Sequence, residues 1–224
     1  MLLLPISRSA EPAALLYLLN CTQINEKDDP HFASFLCSSE RERYDSFSSR
    51  ERRRQFLLGR MLLRSAVSTA TGLPANRIAL IERRGSAPLL LSPDPTAWNF
   101  TFSISHSRQW VACAIGIGCR LGVDIEVNDP TREFQEISRV IFHPNDHQWI
   151  ASQEGADQER AFYKLWCIRE ALLKVAPEAW EQTPSLGELA GWFAYSSVQD
   201  GFTTAVCSNR PLKTLTRAYL SELQ

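Results

Sequence analysis

Residues 98–127 read WNFTFSISHSRQWVACAIGIGCRLGVDIEV, three short runs separated by polar turns. Trp98–Ile104 alternates apolar and polar residues in places, as a strand with one covered face does. Trp110–Ile117 is apolar throughout, the pattern of a strand covered on both faces. Leu121–Val127 reads as a third strand. Upstream, residues 39–71 are rich in helix formers, and Phe56, Leu57, Met61, Leu62 and Val67 supply a recurring apolar face. Within that stretch Ser48–Glu51 (SSRE) matches the capping-box pattern, and Gly72 and Pro74 end the helix. Downstream, helical patterns return at 132–141 and 158–175. Ala13–Cys21 fits either a strand or a buried helix. Ile78–Ile81 and the stretches near 191–197 and 202–207 are strand-like, while GSAP (85–88) and SPDPT (92–96) read as turn-rich loop. Strands and helices recur in both halves. The expectation is an α/β (α+β) chain of two similar subdomains, 1–118 and 119–224, joined near Gly118–Arg120.

The 224 residues are 44% hydrophobic and 22% charged, a globular composition that excludes a disordered chain or a collagen-like fibre. The formal net charge of −1 hides an asymmetry: residues 1–112 hold 14 basic against 10 acidic side chains, and residues 113–224 hold 10 against 15. Twenty of the 24 basic residues are Arg, the better fork for phosphate and carboxylate. The six cysteines form no CxxC pair and no zinc-finger spacing with His, so they read as reduced thiols, several in the core. MLLLPISRSAEP has no basic region before its short apolar run, and Pro5 interrupts it, so a signal peptide is not expected. No window approaches the roughly 18 apolar residues of a membrane span. A cytoplasmic protein without membrane attachment is the expectation.

Within this frame a few constellations carry chemistry. Asp124 and Glu126 are i and i+2 on a strand, so both carboxylates project from one face. Two such acids suit Mg²⁺, which takes one or two carboxylates plus water and phosphate oxygens; they equally suit a solvated strand face. On the helix ERAFYKLWCIREALLKV (159–175), Trp166, Glu170 and Lys174 fall on one line at i, i+4 and i+8. Glu170 and Lys174 in that order are also an ordinary surface pair. Ser105-His106-Ser107 places hydroxyls and an imidazole at a strand end, able to hold phosphate or to form a plain turn. A Ser-His hydrolase reading is poor, because adjacent strand residues point apart and no GxSxG is present. The stretch 41–64 carries eight Arg against three acids. Sparse aromatics and a pI of about 6.4 disfavour broad nucleic-acid binding and favour a solvated helix face with a few ligand contacts. His143 and His147 have metal-like spacing, but Pro144 and Asn145 suggest a loop or helix start with no third ligand nearby.

The order FSISHS (102–107), GVDIE (122–126) and LWCIREALLK (165–174), after RRQFLLGRMLLR (53–64), resembles the 4′-phosphopantetheinyl transferase superfamily, in its single-chain, surfactin-synthetase-activating type. The resemblance covers roughly residues 39–175. It implies a pseudo-dimer of two subdomains with the active site in the cleft between them. It implies transfer of the phosphopantetheine arm of coenzyme A to a serine of an apo acyl or peptidyl carrier protein, with 3′,5′-ADP as the other product. By the same resemblance, Asp124, Glu126 and Glu170 match magnesium carboxylates, Glu170 and Lys174 catalytic positions, and Ser105, His106 and Lys174 contacts to the cofactor's phosphates. Arg41 and Arg54 lie where the family has basic residues for the 3′-phosphate. The first lysine of the family's WxxKE helix is Arg169 here, and its GKP loop reads Gly85-Ser86-Ala87-Pro88, with Arg83 or Arg84 as substitutes for the missing charge. The expected partners are coenzyme A and a fatty-acid, polyketide or peptide-synthetase carrier, without nucleic acid or membrane, and the expected state is a monomer. Two other readings share these residues: a Mg²⁺-dependent phosphohydrolase or nucleotidyl transferase, and a non-catalytic module that binds anions or an acidic partner.

Overall fold

A computed structural model describes residues 11–83, 86–91, 100–178, 185, 189, 191–199 and 201–223. In chain order the elements are β1 (Ala13–Asn20), α1 (Asp29–Ser34), α2 (Ser38–Ser46), α3 (Arg50–Thr71), β2 (Ala79–Arg83), β3 (Ser86–Leu91), β4 (Phe100–Ser107), β5 (Trp110–Ile117), β6 (Leu121–Val127), α4 (Phe134–Ile141), α5 (Pro144–Ala151), α6 (Gly155–Val175), β7 (Phe193–Gln199), β8 (Phe202–Ser208) and β9 (Thr214–Leu220). Trp98, Asn99, Arg84, Gly85 and the SPDPT loop lie outside the described residues.

The ambiguous run at the start is a strand. β1 pairs antiparallel with β5 and parallel with β9, in a four-stranded sheet of order β4-β5-β1-β9. Its unbroken apolar sequence follows from cover on both faces. Leu15, Tyr17 and Leu19 pack on the α3 side, with Met61, Leu62 and Val67. Ala14, Leu16 and Leu18 pack on the other, against Leu121, Val123 and Ile125 of β6. A second sheet of order β6-β8-β7 carries α6 on its far side, where Phe162, Ile168 and Leu172 meet Ala205 and Cys207.

The two halves repeat one plan. A strand is followed by a long helix and then by an antiparallel hairpin whose second strand pairs back to the first. The plan is β1–α3–β4–β5 in the first half and β6–α6–β7–β8 in the second. Gly118–Arg120 connects β5 to β6. The last strand, β9, comes from the second stretch of chain and is hydrogen-bonded into the first sheet.

Several local expectations are corrected. The single helix read over 39–71 is two, broken at Phe47–Ser49, and the cap of α3 is Ser49, whose hydroxyl accepts from the Arg52 amide at 3.3 Å. No Glu stands three residues after Ser49, so the capping box read at 48–51 does not form. Gly72 ends α3 in the left-handed region at φ 74°, as glycine allows at no steric cost. Ser86–Leu91, read in part as loop, is the second strand of a hairpin with β2. The Ser105–Ser107 triplet stays within β4, and the turn is Arg108–Gln109. His143 caps α5 and His147 Nδ1 bonds the Ser138 hydroxyl at 2.8 Å, so both imidazoles serve local structure. Five of the six cysteines are buried and all are free.

Gly122 sets how closely α6 lies on β6. A Cβ there would stand 2.0 Å from the Ala171 carbonyl oxygen, a backbone atom that cannot rotate away. Gly122→Ala should therefore push the helix off the strand and lower stability by at least the ~1–3 kcal/mol of an overpacked core, read as an earlier urea midpoint.

Candidate active site

β4 and β6 are edge strands of different sheets that run alongside each other. Between them lies a row of hydroxyls at every second residue of β4. Thr101 donates to the Cys119 carbonyl at 2.9 Å. Ser103 accepts from the Val123 amide at 3.1 Å and Ser107 from the Val127 amide at 3.0 Å. Ser105 and Ser107 also bond the two acids of β6: Ser105 Oγ to Asp124 Oδ1 at 2.7 Å and Ser107 Oγ to Glu126 Oε2 at 2.8 Å. The period-2 expectation for Asp124 and Glu126 holds, since both face away from the Leu121–Val123–Ile125 stripe and toward α6.

From that helix Lys174 Nζ reaches Asp124 Oδ1 at 2.8 Å, Ser105 Oγ at 2.7 Å and the Val123 carbonyl at 3.0 Å. Trp166 Nε1 reaches Glu126 Oε1 at 3.3 Å. α6 thus runs opposite to β6, with its Trp166–Glu170–Lys174 line over the two acids. Glu170 lies on that line between the two contacts, but its carboxylate pairs with Arg169, and the Glu170–Lys174 surface pair does not form. Asp124 is buried; no N–H or O–H donor reaches its Oδ2, and the buried Cys167 thiol lies beside the carboxylate. Burial raises the Glu126 carboxyl above its ordinary range; the Ser107 bond opposes the rise and Asp124 adds to it. Among the described residues no three His, Cys, Asp or Glu side chains come together as a metal site. The two carboxylates of Asp124 and Glu126 have the hard-oxygen chemistry that suits Mg²⁺.

Beside this pair opens a cavity of about 660 Å³, lined by residues of both halves. Its cations are Arg43, Arg52, Arg60, Arg83 and Lys174, with His106 among them, and Phe47 and Phe56 form part of the wall. His106 follows Phe102 and Ile104 on the α3 face of β4, opposite the hydroxyl row. Its ring nitrogens lie 2.8 and 2.9 Å from Arg52 Nη1. Burial, then Arg52 and Lys174, lower its pKa from 6.5 to about 4, so the imidazole is neutral near pH 7 and can accept from the guanidinium.

Of the site residues singled out in the sequence, His106 and Lys174 line this cavity; Ser105, Asp124 and Glu126 lie at the β4–β6 seam, joined to it through Lys174. The structure does not bring Arg41 or Arg54 there. Arg41 bonds the Ala33 carbonyl and lies over the Tyr44 ring. Arg54 spends its guanidinium on Asp29 and on the carbonyls of Cys21 and Ile24, 2.7 and 2.6 Å away, beside a separate cavity of about 710 Å³. Both tie the segment before and within α1–α2 to the core. The cavity's cations are instead Arg43 and Arg52, each two residues away in sequence, with Arg60 and Arg83. Helix phase on α3, with Gln55 and Gly59 also lining the cavity, is the signal that separates Arg52 from Arg54. Nor is the Arg-rich stretch simply a solvated face. Arg64 and Glu40 are buried as a fork at 2.6 and 2.9 Å, and Arg60 bonds Glu82 at 2.7 Å.

The geometry is that of two neighbouring carboxylates near an arginine-walled cavity, set at the join of two like halves. Comparison with known proteins assigns each half. A family model described as 4′-phosphopantetheinyl transferase, N-terminal, matches residues 25–116, and one described as the 4′-phosphopantetheinyl transferase superfamily matches residues 120–207. The chain belongs to the 4′-phosphopantetheinyl transferase superfamily, in its Sfp-like type. It is 28% identical over 143 residues to the 4′-phosphopantetheinyl transferase HetI of Nostoc sp., covering 63% of this chain and 60% of that protein. It is 28% identical over 151 residues to the 4′-phosphopantetheinyl transferase Sfp of Bacillus subtilis, covering 67% and 64%, and 31% identical over 150 residues to a phosphopantetheinyl transferase of Thraustochytrium sp., covering 62% and 51%. The matches span less than two thirds of these relatives' own length. Among the described residues no helix is long and apolar enough to cross a membrane.

The lowered pKa of His106 has a measurable consequence. The unfolded chain protonates this imidazole below about pH 6.5, the folded chain only near pH 4. Between those values the unfolded state binds more protons, so stability falls as pH drops through that window. Glu126, with its raised pKa, acts in the opposite sense. His106→Gln should lose less stability than the wild type between pH 7 and pH 4.5, read as the change in urea midpoint.

Proposed function

We propose that the chain transfers the 4′-phosphopantetheine arm of coenzyme A to a serine hydroxyl of an apo acyl or peptidyl carrier protein, releasing 3′,5′-ADP, with Mg²⁺ as cofactor. The observation that carries this reading is the buried, half-bonded Asp124 beside Glu126, adjoining a cavity walled by arginines. Family membership and the names of the relatives support the same activity.

Asp124 and Glu126 would hold the cation, with Glu170 the further candidate ligand on the α6 line. When bound, Mg²⁺ neutralises pyrophosphate charge and orients the displacement. The remaining work falls to side chains. Arg43, Arg52, Arg60 and Arg83 supply charge and N–H donors for the nucleotide's phosphates. His106, neutral before binding, adds an imidazole to the same wall. The carrier's serine oxygen attacks the phosphorus that bears the pantetheine arm, and the bond from that phosphorus to the bridging oxygen breaks. The bridging oxygen leaves on 3′,5′-ADP. Glu170, which is partly exposed, takes the serine proton directly or through a water. Lys174, fixed on Asp124 and Ser105, places positive charge beside the leaving phosphate.

Incubation with coenzyme A, Mg²⁺ and an apo carrier protein, read by mass spectrometry, tests the proposal. The carrier should gain one phosphopantetheine, and chelator should abolish the gain. Nucleotide release without carrier modification would select a hydrolase instead, and no turnover would select a binding module. In the same assay Glu170→Gln, which keeps shape and an oxygen ligand, should lower turnover ~10²–10⁴-fold while coenzyme A still binds. A near-silent effect would remove Glu170 from the mechanism.

A further inference from the structure

Ser107 and Trp166 have no part in the mechanism above, yet both touch Glu126. A serine hydroxyl has one proton and two lone pairs. Ser107 Oγ already accepts the Val127 amide at 3.0 Å, so its proton is free to go only outward, to Glu126 Oε2 at 2.8 Å. The Trp166 indole is a donor only, and it stands 3.3 Å from Oε1. Each oxygen of Glu126 therefore receives one donor, from two different elements, β4 and α6. Two donors on separate oxygens fix the plane of the carboxylate and leave lone pairs on both oxygens. Asp124 is held differently: Ser105 and Lys174 both load Oδ1, and no N–H or O–H donor reaches Oδ2. The two acids thus have different supports, each arranged to leave acceptor capacity.

We infer that Ser107 and Trp166 are positioning residues that hold the Glu126 carboxylate in one orientation for a divalent cation, so that the second serine of the SHS triplet serves the metal pair and not the phosphates. The inference rests on the metal reading under Proposed function. Outer hydrogen bonds of this kind typically change metal affinity by ~10–100-fold. The Trp166 ring stacks on Phe162 with centroids 5.6 Å apart, so Trp166→Phe keeps the packing and removes the N–H.

The test uses Mn²⁺ as probe, with free Mn²⁺ read by electron paramagnetic resonance, in the presence and absence of coenzyme A. Ser107→Ala should weaken Mn²⁺ affinity ~10–100-fold. Ser107→Thr, which keeps the hydroxyl, should restore most of it, and Trp166→Phe should weaken it by a smaller factor because its bond is the longer. Metal-free affinity for coenzyme A should be the same in all three, since the arginine wall is untouched. Wild-type Mn²⁺ affinity in Ser107→Ala would overturn the inference. So would a loss in Mn²⁺ and coenzyme A affinity together that Ser107→Thr does not restore, which would mark Ser107 as a seam residue only. Should Ser107→Ala fail to fold, unchanged Mn²⁺ affinity in Trp166→Phe overturns it. A wild-type chain that binds no Mn²⁺ in either condition would overturn the metal reading and the inference with it, an outcome distinct from a wild type that binds beside variants that bind equally well.

Discussion

Everything at this site depends on the hydroxyl row of β4 meeting the free edge of β6. An edge strand exposes unpaired N–H and C=O groups, and the usual remedy is another strand at ladder distance. Here side-chain oxygens of Ser103 and Ser107 bond the β6 backbone instead, and Thr101 bonds the Cys119 carbonyl just before it. The halves are therefore joined by polar side chains at the place where Asp124 and Glu126 project. The same alternation sends Phe102, Ile104 and His106 to the α3 side. A slip of one residue in β4 would reverse both faces, setting Phe102 and Ile104 against β6 and leaving the acids without their hydroxyls. One register thus fixes the join, the orientation of both carboxylates and the direction of the imidazole.

Charge pairing then decides which arginines remain for a ligand. A buried ion needs a partner and hydrogen bonds to offset its desolvation. Arg64 meets that need with Glu40, and Arg54 with Asp29 and two carbonyls. Arg60 is intermediate: it is tied to Glu82 at 2.7 Å and lies over the Phe56 ring at 4.5 Å, yet still faces the cavity. The positive balance of the first half is accordingly divided. Part of it neutralises buried acids of the same half, and the rest forms one wall of the cleft.

That division explains what could be read from the chain alone. The β4–β6 strands, α3, α6 and the shared face of Asp124 and Glu126 follow from periodicity and from Gly72, because period and turn residues are local. The Trp166–Glu170–Lys174 line is local too. The identity of the anion-facing arginines is not, because the partners that remove Arg64 and Arg54 from the cleft lie 24 and 25 residues away. β9 is not legible in the sequence for a related reason. Its residues alternate weakly, it is an edge, and it acquires its place by pairing with the far end of the chain. The break at Phe47–Ser49 is hidden in the sequence by helix formers on both sides; it is marked by the Ser49 cap and by Phe47 turned onto Phe56.

The departures from the family's helix and loop motifs are resolved by reach more than by sequence position. Phosphate recognition requires donors and charge at a point in space, and arginine delivers both over a long side chain. The hairpin β2–β3 pairs regularly from Ala79 to Ile81 and then shifts register before Arg83. Past that shift Arg83 is exposed and lines the cavity, with its Nε on the Ala87 carbonyl at 2.9 Å. A lysine missing from the loop is thus compatible with a cation at the same wall, supplied by the strand before it. Arg169 is the complementary case. Its guanidinium reaches the neighbouring Glu170, so the substitution that keeps the charge also gives the candidate base a partner. For Glu170 to take a proton or a cation, that ion pair must be exchanged for the new contact. The cost of the exchange is moderated by the partial exposure of both side chains, since water screens and replaces such pairs cheaply. On the proposed reading, Arg169 bears on the site through Glu170 and Arg83 through the cavity wall, so the two departures touch separate parts of it.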